Sequence, residues 1–125
     1  MSASAEEPRF DRIQLFVPEG DRASKTTPVD LHDRWVIRLL RACGRLFGGA
    51  TSYGRGVGVW TEARWFYWDR VTVIEAWAHA NHPRHVGRLH RLSREIHAMR
   101  RGLHQKAALC IINGRLRYFR GGSNR

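Results

Sequence analysis

Apolar residues in this chain recur at two spacings, and the order in which those spacings alternate constrains the fold more than any other feature. From Arg12 to Val17 every second residue is apolar: Ile13, Leu15 and Val17 alternate with Arg12, Gln14 and Phe16. That period matches a strand with one buried face. Pro18 and Gly20 end it, and Asp21 to Thr27 reads as a polar loop. Pro28-Val29-Asp30 then opens a helix, with Asp30 as N-cap and Asp33 three residues on. Leu31, Trp35, Leu39, Cys43 and Leu46 mark one face of that helix, and Gly48-Gly49 stops it.

Ala50 to Trp60 returns to a period of two, with Thr51, Tyr53, Arg55, Val57 and Val59 on one side. Glycines at 54, 56 and 58 mark this strand as bent or bulged. Thr61 to Arg70 reads as a polar and aromatic connection, and Val71 to Ala78 as a third strand. Pro83 suits the first position of a second helix. Its apolar stripe is Val86, Leu89, Leu92, Ile96, Met99 and Leu103, with Gly102 near its end. Ala107 to Ile112 is a fourth strand. Asn113-Gly114 is a strong hairpin signal, and Arg115 to Phe119 returns as a fifth strand.

The order is β-α-β-β-α-β with a terminal hairpin. This is an α+β, ferredoxin-like sandwich with an added C-terminal hairpin strand, both helices packing on one face of an antiparallel sheet. At 125 residues the chain has room for one domain. We place that domain at 10–120, after a disordered leader at 1–9 and before a tail at 121–125. An apolar fraction of 42% is enough for a core and excludes wholesale disorder. No apolar run reaches the roughly 18 residues of a membrane span, and no secretory signal opens the chain. A cytoplasmic location is therefore expected, with no membrane partner. Cys43 and Cys110 fall at apolar positions and read as core thiols. No cofactor is expected.

Charge supplies the first functional reading. The net charge of +11 is unevenly placed: residues 1–83 carry +1 and residues 84–125 carry +10, with Glu95 the single acid of that last third. Twenty of the 22 basic residues are arginine, whose planar fork suits phosphate and stacks on bases. A solvated helix face usually mixes in Glu for pairs four residues apart; this one does not. These features lead to the expectation of a non-catalytic nucleic-acid-binding protein, with DNA or RNA as partner. Arg84, Arg88, Arg91, Arg94, Arg101, Arg115 and Arg117 are its expected phosphate contacts. If strands one and three are central, Phe16 and Trp77 lie on the sheet face away from the helices and form a stacking pair. The alternative for both aromatics is burial against the hairpin or a second copy of the chain.

Two other readings stand beside this one. In one, the chain is an accessory interaction subunit of a larger assembly, its basic face docked on a protein partner. In the other, it is a small enzyme or ligand-binding homodimer with Arg55, Trp60, Glu75 and His79 around a pocket. Glu75 motivates the last, because a carboxylate inside an apolar strand is costly unless paired. Arg12, Arg55 and His79 are the partners the sequence offers it. His79, His82 and His85 are weak metal candidates: the spacing is close, but no carboxylate lies within the run. The catalytic residues are not readable from any nucleophile-base pairing.

In layout the chain resembles small uncharacterised bacterial domains that share a Phe-Gly-Gly-x-Thr segment followed by a Gly-x-Gly-x-Trp run. The matching residues here are Phe47-Gly48-Gly49-Ala50-Thr51, Gly56-Val57-Gly58-Val59-Trp60, Val71 to Glu75 and Gln105 to Ile112. The resemblance covers roughly residues 10–119. It implies the ferredoxin-like fold and no particular activity.

Overall fold

A computed structural model describes residues 8–21 and 29–121. Residues 1–7 of the leader expected at 1–9, residues 22–27 of the loop expected at 21–27 and residues 122–125 of the tail expected at 121–125 lie outside the described residues. Five strands and two helices follow one another as β1 (Phe10–Asp21), α1 (Val29–Phe47), β2 (Thr51–Glu62), β3 (Trp65–His79), α2 (His85–Gly102), β4 (Ala107–Ile112) and β5 (Arg115–Arg120). The strands form one antiparallel sheet in the order β2-β3-β1-β4-β5. The molecule is thus a mixed α+β structure, an antiparallel sheet with two helices, compatible with a ferredoxin-like layout.

The alternation in β1 decides which face is dry. Ile13, Leu15 and Val17 are fully buried, and opposite them on β3 stand Ala76, Ile74 and Thr72. β4 adds Cys110 and Ile112 to the same face. Against this surface the helices set Leu39 and Cys43 from α1, and Leu92, Ile96 and Met99 from α2, with Leu103 just past its end. Val86 does not join the stripe; it is the second residue of α2 and is 67% exposed. Burial of core side chains of this size supplies the driving force for folding.

Turn chemistry fixes the ends. Gly48 takes a left-handed backbone (φ +91) and its N–H bonds the Gly44 carbonyl, closing α1 where the double glycine predicts. Asn113 and Gly114 both have positive φ, as a two-residue hairpin turn requires. Asp30 sits inside the first turn of α1, where its charge favours the helix dipole, rather than before it. α2 begins two residues after Pro83; Arg84 precedes it without a side-chain cap, and the Arg84 carbonyl accepts from the Arg88 N–H.

Three strands run longer than the sequence suggests. Residues 61–70 are not a connection. β2 continues to Glu62, β3 restarts at Trp65, and Ala63 turns the chain with φ +55. This hairpin exposes Trp65, Phe66 and Trp68. β1 likewise extends past Pro18 to Asp21, with a register shift between those two residues absorbing the proline. At the start, just before β1, the Arg9 carbonyl accepts from the Ala80 N–H. Gly102 is the last residue of α2, as its position in the sequence suggests, and it also allows a close approach: a Cβ there would collide with the indole ring of Trp35.

Candidate functional site

Because side chains alternate across a strand, burying Ile13 and Ile74 on one face sends Arg12, Gln14, Glu75 and Trp77 to the other. No helix covers that second face. Near its middle, β3 holds Glu75 between β1 and β2, directly opposite Gln14 on one side and Thr51 on the other. Arg12 and Tyr53 are each two residues out of register with Glu75, on opposite flanking strands. Such diagonal neighbours are within reach of long side chains.

The arginine donates from Nε to Glu75 Oε2 at 2.6 Å, and the Tyr53 hydroxyl donates to Oε1 at 2.9 Å. Both carboxylate oxygens therefore have a partner, which offsets the cost of placing a carboxylate in an apolar strand. The Glu75 side chain is only 9% exposed, whereas Arg12 is 50% exposed and lies with its guanidinium 5.9 Å from the Trp77 ring centre. Hydrogen bonding from Arg12, chiefly, and from Tyr53 and Trp77 holds the Glu75 carboxyl below its ordinary value, against an opposing effect of burial. The same contact with Glu75 pushes the Tyr53 hydroxyl up. At neutral pH the centre is an ionised carboxylate gripped by a cation and a neutral phenol.

Of the three partners the sequence offers Glu75, the fold selects Arg12. The strand register does not bring positions 55, 60 and 79 alongside Glu75. β2 carries a bulge between Tyr53 and Arg55, and there residue 55 pairs with Thr72 on the helix-facing side. An extra residue in a strand reverses the parity of everything after it. The row Thr51, Tyr53, Arg55, Val57, Val59 is therefore split, its first two members on Glu75's face and the rest on the other. Residue 60 pairs with residue 67, eight positions along β3 from Glu75, which is ~26 Å at strand rise. His79 is four positions the other way, packed edge-on against Phe10.

Tyr53 is the member that sequence reasoning missed. Its signal was Gly54 directly after it: a bulge there ends the first parity register with Tyr53 as its last residue.

The remaining candidates are dispersed. Phe16 and Trp77 share the uncovered face, but Phe16 stands opposite Val73, about four residues or ~13 Å from Trp77 along the strand. His82 Nδ1 accepts from the Arg84 N–H, and its Nε2 faces Arg88 at 3.3 Å. His85 meets Asp11 at 3.4 Å, and the His79 and His82 rings are 6.3 Å apart. Among the described residues no three His, Cys, Asp or Glu side chains converge as metal ligands. Desolvation, then Arg88, lowers the His82 pKa. Arg91 and Arg94 line a groove between the helices, Arg101 is exposed near the end of α2, and Arg115 and Arg117 lie on the edge strand β5.

A second buried polar chain was not foreseen. His32, 2% exposed, faces Asp33 through Nδ1 at 3.0 Å and the Thr72 hydroxyl through Nε2 at 3.2 Å. It ties the first turns of α1 to β3.

Neither protein-family models nor curated proteins give a match to this sequence. Among solved structures, a phage SAM lyase in complex with S-methyl-5'-thioadenosine superposes with a TM-score of 0.63 at 13% identity, over 100% of both chains. The apo state of a phage SAM lyase gives 0.63 at 14% identity, over 100% of this chain and 98% of that one. The likeness establishes a shared fold along the whole length. It also corrects the expectation of a non-catalytic nucleic-acid binder: both of these structures are of a phage SAM lyase, one of them with a bound small molecule. The arginines of α2 and the hairpin carry no such function forward. No helix among the described residues is long and apolar enough to cross a membrane.

Proposed function

We propose that this chain is a small lyase that cleaves S-adenosylmethionine and releases S-methyl-5'-thioadenosine. Glu75 and Tyr53 stand at the substrate, and Arg12 keeps Glu75 ionised. One observation carries the reading: the Arg12–Glu75–Tyr53 network lies on the uncovered sheet face of a fold shared end to end with a lyase of that substrate. The strand order, read together with α1 and α2, is that of a ferredoxin-like sandwich with β5 added at the edge.

The chemistry favours a positioning role for Glu75. Release of the thioether breaks the bond between sulfur and the γ-carbon of the amino-acid portion, and the bonding pair moves to sulfur. The sulfonium charge vanishes in that step. A carboxylate held against sulfur stabilises the starting state more than the transition state. The α-ammonium keeps its charge throughout, so a carboxylate there orients the substrate without opposing the reaction. A lyase adds no water, so the γ-carbon is satisfied either by the substrate's own carboxylate closing a ring or by loss of a β-proton to a base. Glu75, held below its ordinary pKa, is a poor base, which supports ring closure.

The test is to incubate the purified protein with S-adenosylmethionine and follow S-methyl-5'-thioadenosine by chromatography. The expected result is product well above the protein-free rate, falling by ~100-fold in Glu75→Gln through lost positioning. No product above the protein-free rate from a folded wild type overturns the reading.

A further inference from the structure

The helix side of the molecule, across the sheet from Glu75, carries a separate feature that the proposed activity does not use. A groove of about 490 Å³ runs between α1 and α2. Helical spacing builds it from one row on each helix. Arg38, Ala42 and Arg45 line up on α1, and Arg91, Arg94 and Ala98 on α2. Ala42 and Ala98 form its floor, where a methyl group leaves space that a longer side chain fills. The volume falls in the range of small-molecule sites.

The charge on the walls is unbalanced. Arg38 is engaged: its Nε and NH2 donate to the two oxygens of Glu95 at 2.9 and 3.2 Å, and its guanidinium lies 4.6 Å from the Trp35 ring centre. Glu95 is the single acid of α2, and this forked pair consumes it. Arg45, Arg91 and Arg94 then share the groove with no acidic side chain of the described residues left to neutralise them. Arg91 and Arg94 are one turn apart, about 4.5 Å in rise. Like charges at that spacing destabilise a helix slightly. Guanidinium forks bind phosphate oxygens in pairs and stay charged at any working pH.

We propose that this groove is a binding site for a small polyphosphate anion. The phosphate chain would lie across Arg45, Arg91 and Arg94, with the Arg38–Glu95 pair as its fixed end wall. The recognised chemistry is a run of two or three linked phosphates, whether inorganic or at the end of a nucleotide. The site is independent of the proposed lyase activity, and its test does not involve that activity.

Isothermal titration of the full chain with sodium tripolyphosphate, and separately with ATP, at constant ionic strength reads the site directly. Saturable binding at one site is expected for both. The double variant Arg91→Ala with Arg94→Ala should weaken tripolyphosphate binding at least ~10-fold, corresponding to ~1.4 kcal/mol. Arg115→Ala with Arg117→Ala, which removes the same charge from β5, should leave it within about twofold of wild type. All four arginines are exposed, so folding is checked simply by circular dichroism. Absence of saturable tripolyphosphate binding overturns the proposal. So does an equal loss in the β5 variant, which would show attraction to net charge alone. ATP binding without tripolyphosphate binding overturns it too, because recognition would then rest on the nucleoside.

Discussion

The two sides of the sheet obey different rules, and β3 shows it in adjacent residues. Ile74 is fully buried beneath the helices, while Glu75, the next residue, is hydrogen-bonded by Arg12 and Tyr53 on the uncovered face. The helix side is dry and close-packed, so its residues are specified by size and period. The uncovered side has no such demand, which leaves it free to hold a carboxylate, a phenol and a guanidinium in contact. Stability and the proposed function are thus divided by parity along the same strands.

Variants at neighbouring positions can break that division. Ile74→Ala should cost ~2–5 kcal/mol of stability in urea unfolding, because it opens a cavity in a packed core. Glu75→Gln should leave the urea midpoint close to wild type while lowering the proposed lyase activity by ~100-fold. A Glu75→Gln protein that unfolds as readily as Ile74→Ala would place both residues in the same structural role.

Gly102→Ala tests the packing of the helix side from its edge. The added methyl must displace the Trp35 ring, and overpacking of this kind costs ~1–3 kcal/mol. Gly49→Ala has open space around it and serves as the matched control. Equal melting temperatures for the two variants would show that Trp35 is not held where it lies.

Thiol labelling measures how dry the helix side is. Burial pushes Cys43 and Cys110 up to about 12. Both should resist Ellman's reagent at pH 8 in the native protein and react promptly in urea, since the thiolate is the reactive form. Fast native labelling of either would contradict a continuous core.

The smallest effects are those of pH, and the two groups share one sign, stability lost as pH falls, in different pH ranges. Glu75 lies below its ordinary value of 4.5, so its stabilisation is present above that pH and is lost as pH falls through the lower folded value. The Glu75→Gln protein should lack this part of the acid limb in a pH series of melting temperatures. His97 is held below 6.5 by desolvation and then by Arg100 and Arg101. The folded state therefore prefers its neutral form, and the associated stability is lost as pH falls below about 6.5. An NMR titration of His97 with a midpoint above 6.5 would reverse that sign.

Elements whose signal is local were legible in the sequence. The strand at 12–17, both helices, the glycine stop at 48–49 and the Asn113-Gly114 turn each rest on a few adjacent residues, and each is where the pattern puts it. The hairpin at 61–70 was not legible, because a run of aromatics and charges has no period until its partner strand is known. The nucleic-acid reading failed for a related reason. A surplus of arginine describes charge, and charge alone identifies neither a partner nor a reaction.

By itself, then, the sequence determined the two periods, and with them both helices, the terminal hairpin and the dry face of β1, while the two apolar faces of β3 left the side taken by Glu75 open. Only the tertiary structure decided what Glu75 touches. Arg12 is 63 residues away and Tyr53 is 22, and each arrives by strand register. Register is a property of two strands at once. A single bulged residue at Gly54 is enough to take position 55 off the face and leave Tyr53 on it, and nothing in a one-strand pattern carries that information.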